Sequence, residues 1–338
     1  MNRTLKAAVC ISAIAAAAAP AVIRRADRGR RAQEGLKELA LPHEDLDAVS
    51  TDGTRLSVRA CGEGPEAVFL AHGWTCDESI FRYQQEKFSS RYRVVTFDQR
   101  GHGRSAMPES LDYSTERQAE DLKAVIDLVG PSSFVVAGHS MGGFAAFKFF
   151  ELFGADYAGR LKGMAIIDST GTDLMEGIVF GRFLRMLPPS TVDALLDWLS
   201  RHNRAAGRAV DTLRNTAAAY LVVRWAAFGR SPCGEHVEHL REMVTGTSLA
   251  SVFLAAKACA DYHCDYSLPR ISVPVALLVG DRDKLTDLDS NRRTASLIPD
   301  ARLKVYPGAG HCAMLERRDE FDADLGAFLS EVFADGQV

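Results

Sequence analysis

Positive charge is in short supply in this sequence. Its 40 Lys and Arg face 44 Asp and Glu, for a formal net charge of −4, which excludes a nucleic-acid binder of the basic-patch kind. Cysteines at paired spacings are also lacking. The seven (Cys10, Cys61, Cys76, Cys233, Cys259, Cys264 and Cys312) are odd in number and scattered along 338 residues. A chain of this length needs no covalent staples, so reduced thiols are expected. Cys259, His263 and Cys264 lie close together, but no second ligand pair at zinc spacing accompanies them, so no metal is expected. Internal repeats and low-complexity tracts are absent beyond the first few dozen residues. A content of 47% hydrophobic and 25% charged residues excludes a disordered chain, a collagen and a polytopic membrane protein.

The charge is unevenly placed. Residues 1–31 carry seven Lys or Arg and one acid, a net of +6, so the rest of the chain carries −10. Within this leader, residues 7–23 form an uncharged run of 17, nine of them alanine. As a helix the run would span about 26 Å, slightly less than the ~30 Å hydrocarbon layer. The arginines that follow favour a cytoplasmic side for everything after them. The expectation is a marginal membrane contact through 7–23, with the body on the cytoplasmic side. An exported signal and an uncleaved cytosolic leader are the alternatives. Residues 28–40 read as a polar linker helix, which makes 1–40 a leader apart from the fold.

From about residue 41 the pattern is that of an α/β domain. A hairpin is expected around Thr51-Asp52-Gly53-Thr54, where Asp-Gly signals the turn. Short apolar runs then alternate with helical stretches: AVFLAHG, RVVTFDQ, FVVAGHS, GMAIIDS, VPVALLVG and ARLKVYPG are each followed by a helical or turn segment. Near-continuous apolar strands between helices predict a mostly parallel, doubly wound sheet covered on both faces. The alternation breaks between 171 and 270, a stretch with several helical patterns and no clear strand. The core is therefore assigned to 41–170 and 271–338, with 171–270 inserted as a helical cap.

The chemistry is concentrated in residues 133–150, SFVVAGHSMGGFAAFKFF. A strand runs into Gly138-His139-Ser140-Met141-Gly142 and a helix follows at once, the context of a nucleophile elbow. A nucleophile on a strained turn needs glycines two places to either side. The helix that follows directs its N-terminus at the site, where the Met141 amide can meet a developing oxyanion. Ala71-His72-Gly73-Trp74 ends an earlier strand, where a second amide would be supplied. Asp283 follows the strand VPVALLV, and His311 follows LKVY in Pro307-Gly308-Ala309-Gly310-His311.

These segments together resemble the α/β-hydrolase family, in its serine-esterase and cofactor-free haloperoxidase-like branch, from about residue 46 to 334. The resemblance implies Ser140 as nucleophile, His311 as general base and an aspartate orienting the imidazole. It also implies oxyanion donors from the backbone of Trp74 and Met141, and neither metal nor organic cofactor. Serine at position 140 disfavours haloalkane dehalogenase and most epoxide hydrolase chemistry, which use aspartate there. Hydrolysis of a carboxylic ester or lactone on a small acyl substrate is the expected activity. Carbon–carbon bond hydrolysis of ring-cleavage products and perhydrolase-type chemistry are the alternatives. A ligand receptor without catalysis is disfavoured because all three groups are present.

Two aspartates compete for the acid. Asp283, three residues past Gly280, is expected to reach His311, while Asp281 is expected to brace the turn. Asp168, at the end of the apolar run in GMAIIDS, is expected either to line the pocket or to close its strand. Trp225 and Phe228 in the insertion are expected to contact substrate. The phenylalanines 144, 147, 149, 150 and 153 are expected to form core.

Overall fold

The computed structural model describes residues 41–172 and 216–334. The leader 1–40, including the apolar run 7–23, and the first part of the insertion, 173–215, lie outside the described residues. Among the described residues no single helix is long and apolar enough to cross a membrane.

Eight strands form one sheet: β1 (His43–Val49), β2 (Arg55–Cys61), β3 (Glu66–Ala71), β4 (Arg93–Phe97), β5 (Ser133–His139), β6 (Leu161–Ile167), β7 (Val275–Gly280) and β8 (Arg302–Tyr306). Their order is β1-β2-β4-β3-β5-β6-β7-β8. The hairpin β1–β2 runs antiparallel and joins β4 antiparallel, and every pair from β4 through β8 is parallel. The expected turn is present. Gly53 takes φ +84°, where its missing side chain matters, and Asp52 accepts a hydrogen bond from Thr54 N at 3.1 Å.

The helices are α1 (Arg82–Phe88), α2 (Thr115–Val129), α3 (Met141–Phe153), α4 (Ala217–Ala227), α5 (Gly234–Gly246), α6 (Leu249–Asp261), α7 (Leu288–Leu297), α8 (Ala313–Glu316) and α9 (Arg318–Ala334). Strand side chains alternate between two cores. Ala67, Phe69, Val136 and Leu277 face the side covered by α2, α3 and α6. Val68, Leu70, Val135 and Leu278 face the side covered by α1, α4, α5 and α9. This double coverage explains why the central strands read as continuous apolar runs rather than alternating ones.

Chain direction across the sheet reverses between β3 and β5, which lie side by side with Ala71 opposite Gly138. A crevice forms at the carboxyl ends of strands at such a reversal. The described part of the insertion, α4 to α6, is helical throughout its regular structure and contacts the loops at that same end. Trp74 Nε1 donates to Val252 O at 2.9 Å, Tyr113 and Ser251 share a hydroxyl bond of 2.8 Å, and Tyr262 stacks on Phe144 at 4.3 Å. Cys264 is buried, bonded to Tyr262 and to Gly171 O, whereas His263 is exposed. Among the described residues no group of three His, Cys, Asp or Glu converges on a metal position.

Candidate active site

Ser140 stands where β5 ends and α3 begins, with φ +52° and ψ −118°. A non-glycine residue in that region is strained and persists only where its surroundings enforce it. Here they do. Ser140 N donates to Ile167 O at 2.9 Å, and its carbonyl accepts from Gly143 N at 2.8 Å and Ser169 Oγ at 2.7 Å. The flanking glycines leave no room for a side chain. A Cβ on Gly138 would lie 2.3 Å from Gly142 O, and one on Gly142 would lie 2.1 Å from Ala71 O. Ser140 remains partly exposed while Gly138, His139, Met141 and Gly142 are buried. The Met141 amide belongs to the first helical turn, whose N–H groups have no acceptor within the helix.

The β3 loop closes against this turn. A Cβ on Gly73 would meet Ser140 Cβ at 3.1 Å and His139 Nδ1 at 2.8 Å, so Trp74 follows directly on a residue in contact with the serine. His72 fixes the loop. Its Nε2 accepts from Gln99 N at 2.9 Å, which leaves Nδ1 to donate to Gly73 O at 2.8 Å. Burial lowers its pKa and keeps the ring neutral.

Asp283 and His311 meet in the interior. His311 Nδ1 donates to Asp283 Oδ2 at 2.8 Å, and both side chains are almost wholly buried. Asp283 Oδ1 accepts from Leu285 N and Thr286 N, and Oδ2 also accepts from Thr286 Oγ1 at 2.6 Å. Burial works against its charge, yet the imidazole and these donors hold it below the usual carboxylate range. The reverse balance acts on His311. Burial disfavours the imidazolium, but the Asp283 carboxylate outweighs it and raises the pKa. With Nδ1 carrying the proton, Nε2 is the basic nitrogen.

His139 connects this pair to the serine. Its Nε2 donates to the backbone carbonyl of His311 at 2.8 Å, and the two rings lie 4.9 Å apart. Burial and the neighbouring His311 push its pKa down to about 3. The residue before Ser140 thus holds the main chain of His311.

A model described as "Alpha/beta hydrolase family" matches residues 68–324. The chain belongs to the alpha/beta hydrolase family. It is 27% identical over 291 residues to a non-heme haloperoxidase of Rhodococcus erythropolis, covering 83% of this chain and 97% of that one. It is also 27% identical over 287 residues to a pimeloyl-[acyl-carrier protein] methyl ester esterase of Chromobacterium violaceum, covering 81% and 98%. Among solved structures, an N-acyl homoserine lactone degrading enzyme superposes with a TM-score of 0.64 at 28% identity, covering 85% of this chain and all of that one.

Other residues singled out in the sequence of this hydrolase separate in space. Asp281 does not touch the imidazole, and its Oδ1 accepts from Gly308 N at 2.6 Å. Asp168 closes β6 at φ +42° and joins two loops. Its Oδ1 accepts from Gly280 N and its Oδ2 from Ala313 N, each at 2.8 Å. Burial and the nearby Asp283 charge raise its pKa.

The two pocket residues expected in the insertion need correction. Trp225 is 66% exposed, with Lys284 Nζ 5.2 Å from its ring centre. Tyr220, Val223 and Ala227 form the inward face of α4, and position 225 falls on the opposite side. Phe228 is fully buried, with its backbone against Gly310. It fills core and offers no surface to a substrate. The phenylalanines of α3 are core at positions 144, 147 and 149, with Phe150 and Phe153 half-buried against it. The positions that sequence reasoning missed are His139 and Glu316, whose contacts are to remote main chain.

Proposed function

We propose that this hydrolase cleaves a carboxylic ester or lactone of a small acyl substrate through an acyl-enzyme, with Ser140, His311 and Asp283 as its catalytic residues. The observation that carries the reading is the buried 2.8 Å bond from His311 Nδ1 to Asp283 Oδ2. It directs the basic Nε2 away from the acid, on a loop that His139 ties to the serine turn. His311 Nε2 takes the proton of Ser140 Oγ as the oxygen attacks the acyl carbonyl. The resulting oxyanion is received by the backbone N–H groups of Trp74 and Met141, where one donor is worth about 10²–10³ in turnover. Collapse breaks the bond to the alcohol oxygen, which leaves with the proton from His311. Water, deprotonated by the same nitrogen, then attacks the acyl-enzyme and releases the acid and free Ser140. Asp283 stays ionised throughout and stabilises the imidazolium. The chemistry requires no cofactor or metal.

The insertion 171–270 acts in this reading as a cap, since α5 and α6 bind the loops after β3 through Ser79–His239 (3.0 Å) and Trp74–Val252 (2.9 Å). The relatives named for esters and lactones support this substrate class. Short p-nitrophenyl esters and a fluorophosphonate probe test it. Ser140→Ala should keep the fold, lose hydrolysis and escape labelling. Unchanged hydrolysis by Ser140→Ala would overturn the assignment.

A further inference from the structure

The His311 loop is also gripped from outside the Ser140–His311–Asp283 set. Glu316, at the end of α8, places Oε1 2.7 Å from Gly310 N and 3.1 Å from Gly229 N, and Oε2 3.0 Å from Gly229 N. Gly310 immediately precedes His311, and Gly229 lies just beyond α4 in the insertion. The two segments touch main chain to main chain. A Cβ on Gly229 would lie 1.9 Å from Gly308 O, one on Gly310 would lie 2.5 Å from Phe228 C, and Arg230 N donates to Gly308 O at 3.3 Å. No side chain cushions this seam, so a shift of one segment is transmitted to the other.

We propose that Glu316 is a positioning residue that locks the inserted helices to the His311 loop, so that the seating of the insertion sets where the imidazole stands. This rests on the assignment of His311 as general base. The ionised carboxylate is the form that fits, because both oxygens face N–H groups. A protonated acid, or an amide in its place, would turn a hydrogen toward one of them.

Burial pushes the Glu316 pKa up to about 7, against the Gly310 and Gly229 amides and the charges of Arg224 on α4 and Lys284 on the acid loop. On its outer side is a cleft of about 420 Å³ shared with Tyr83, His236 and the charged run 317–320. His236 is pushed down to about 4, Tyr83 is raised, and the thiol of Cys312, the residue that precedes α8, is held well up by burial. None of these three changes charge between about pH 6 and pH 8. Glu316 does.

The experiment measures kcat, KM and thermal unfolding for wild type, Glu316→Gln and Glu316→Asp on p-nitrophenyl esters from pH 5.5 to 8.5. At pH 8, Glu316→Gln should lose about 10- to 10²-fold in kcat with KM much less affected. The wild-type to Gln ratio should shrink toward unity by about pH 6, where protonated wild type presents the same mixed donor and acceptor. His311, and Asp168, whose carboxyl holds Ala313 N of α8 and is pushed up to about 8 by burial, titrate in both enzymes and cancel in that ratio. Stability moves the other way. A carboxyl whose folded pKa is raised binds its proton more tightly when folded, so wild type gains stability as pH falls through 7 toward the unfolded value.

A merely structural Glu316 would make kcat follow stability. Glu316→Asp, charged but one methylene shorter, should lie between the two in kcat at pH 8, and it carries the test should the Gln variant fold poorly. A pH-independent ratio, or wild-type kcat in either variant, overturns the proposal. If Ser140→Ala is inactive while Glu316→Gln is normal, only this inference fails. If Ser140→Ala is active, the catalytic assignment fails first.

Discussion

Replacing Asp283 by Asn discriminates sharply because the bonds around it allow the outcome to be worked out. Oδ1 accepts two backbone amides, Leu285 N at 2.7 Å and Thr286 N at 3.0 Å. An asparagine must keep its oxygen there, since its NH₂ would point hydrogens at two N–H groups. The NH₂ then occupies the place of Oδ2, facing Thr286 Oγ1 and His311 Nδ1. The hydroxyl rotates and accepts. The imidazole can only accept by moving its proton to Nε2, and that nitrogen can then no longer take the proton of Ser140. Loss of about 10⁴ in turnover is expected, or about 5.5 kcal/mol of barrier. The folded state exchanges one buried hydrogen bond for another, so stability should change by only about 1 kcal/mol. Asp281→Asn keeps its oxygen on Gly308 N and should cost less than tenfold in turnover. Steady-state hydrolysis of a p-nitrophenyl ester, with thermal unfolding of the same samples, reads both quantities. The opposite order of the two variants would refute the argument and make Asp281 the acid.

Asp168→Ala strands two buried amides, Gly280 N and Ala313 N, and should destabilise the fold by about 2–6 kcal/mol in denaturant titration. Its pKa is raised by burial, so wild type should lose stability as pH rises through the folded value, and the alanine variant should lack that component. Phe228→Ala should cost about 3–5 kcal/mol through a cavity beside the His311 loop. Trp225→Ala should change stability by no more than about 0.5 kcal/mol and leave acyl-chain preference untouched. A shifted ratio of long- to short-chain esters in the Trp225 variant would return that ring to the pocket.

The sheet is legible in the sequence because its signal is local. The runs from β3 to β7 are apolar on both faces, and the structure covers both faces with helices. The β1–β2 hairpin is announced by Asp52-Gly53, but β1 starts at His43, earlier than its apolar residues indicate. It is an edge strand, largely exposed, and has no burial to encode. Trp225 is aromatic, yet what an aromatic ring meets depends on its helix face, and this one is turned outward. The spacing of Tyr220, Val223 and Ala227 already marks the inward side of α4.

The site is legible to the extent that its residues carry distinctive neighbours. Ser140 stands between glycines that steric contact forbids replacing, and that requirement is written in the chain. The acids are different. The segment from 308 to 313 is held at four points by four carboxylates, two from the loop after β7, one from the end of β6 and one from α8. Asp281 binds Gly308 N, Glu316 binds Gly310 N, Asp283 binds the His311 ring and Asp168 binds Ala313 N. In sequence, the distance from Gly280 separates Asp283 from Asp281, but nothing near Asp168 or Glu316 tells which amide each one meets. What separates them is the atom each one meets. Three accept amides of this segment and fix where the loop runs, while the fourth accepts a hydrogen bond from imidazole Nδ1 and decides which ring nitrogen is basic.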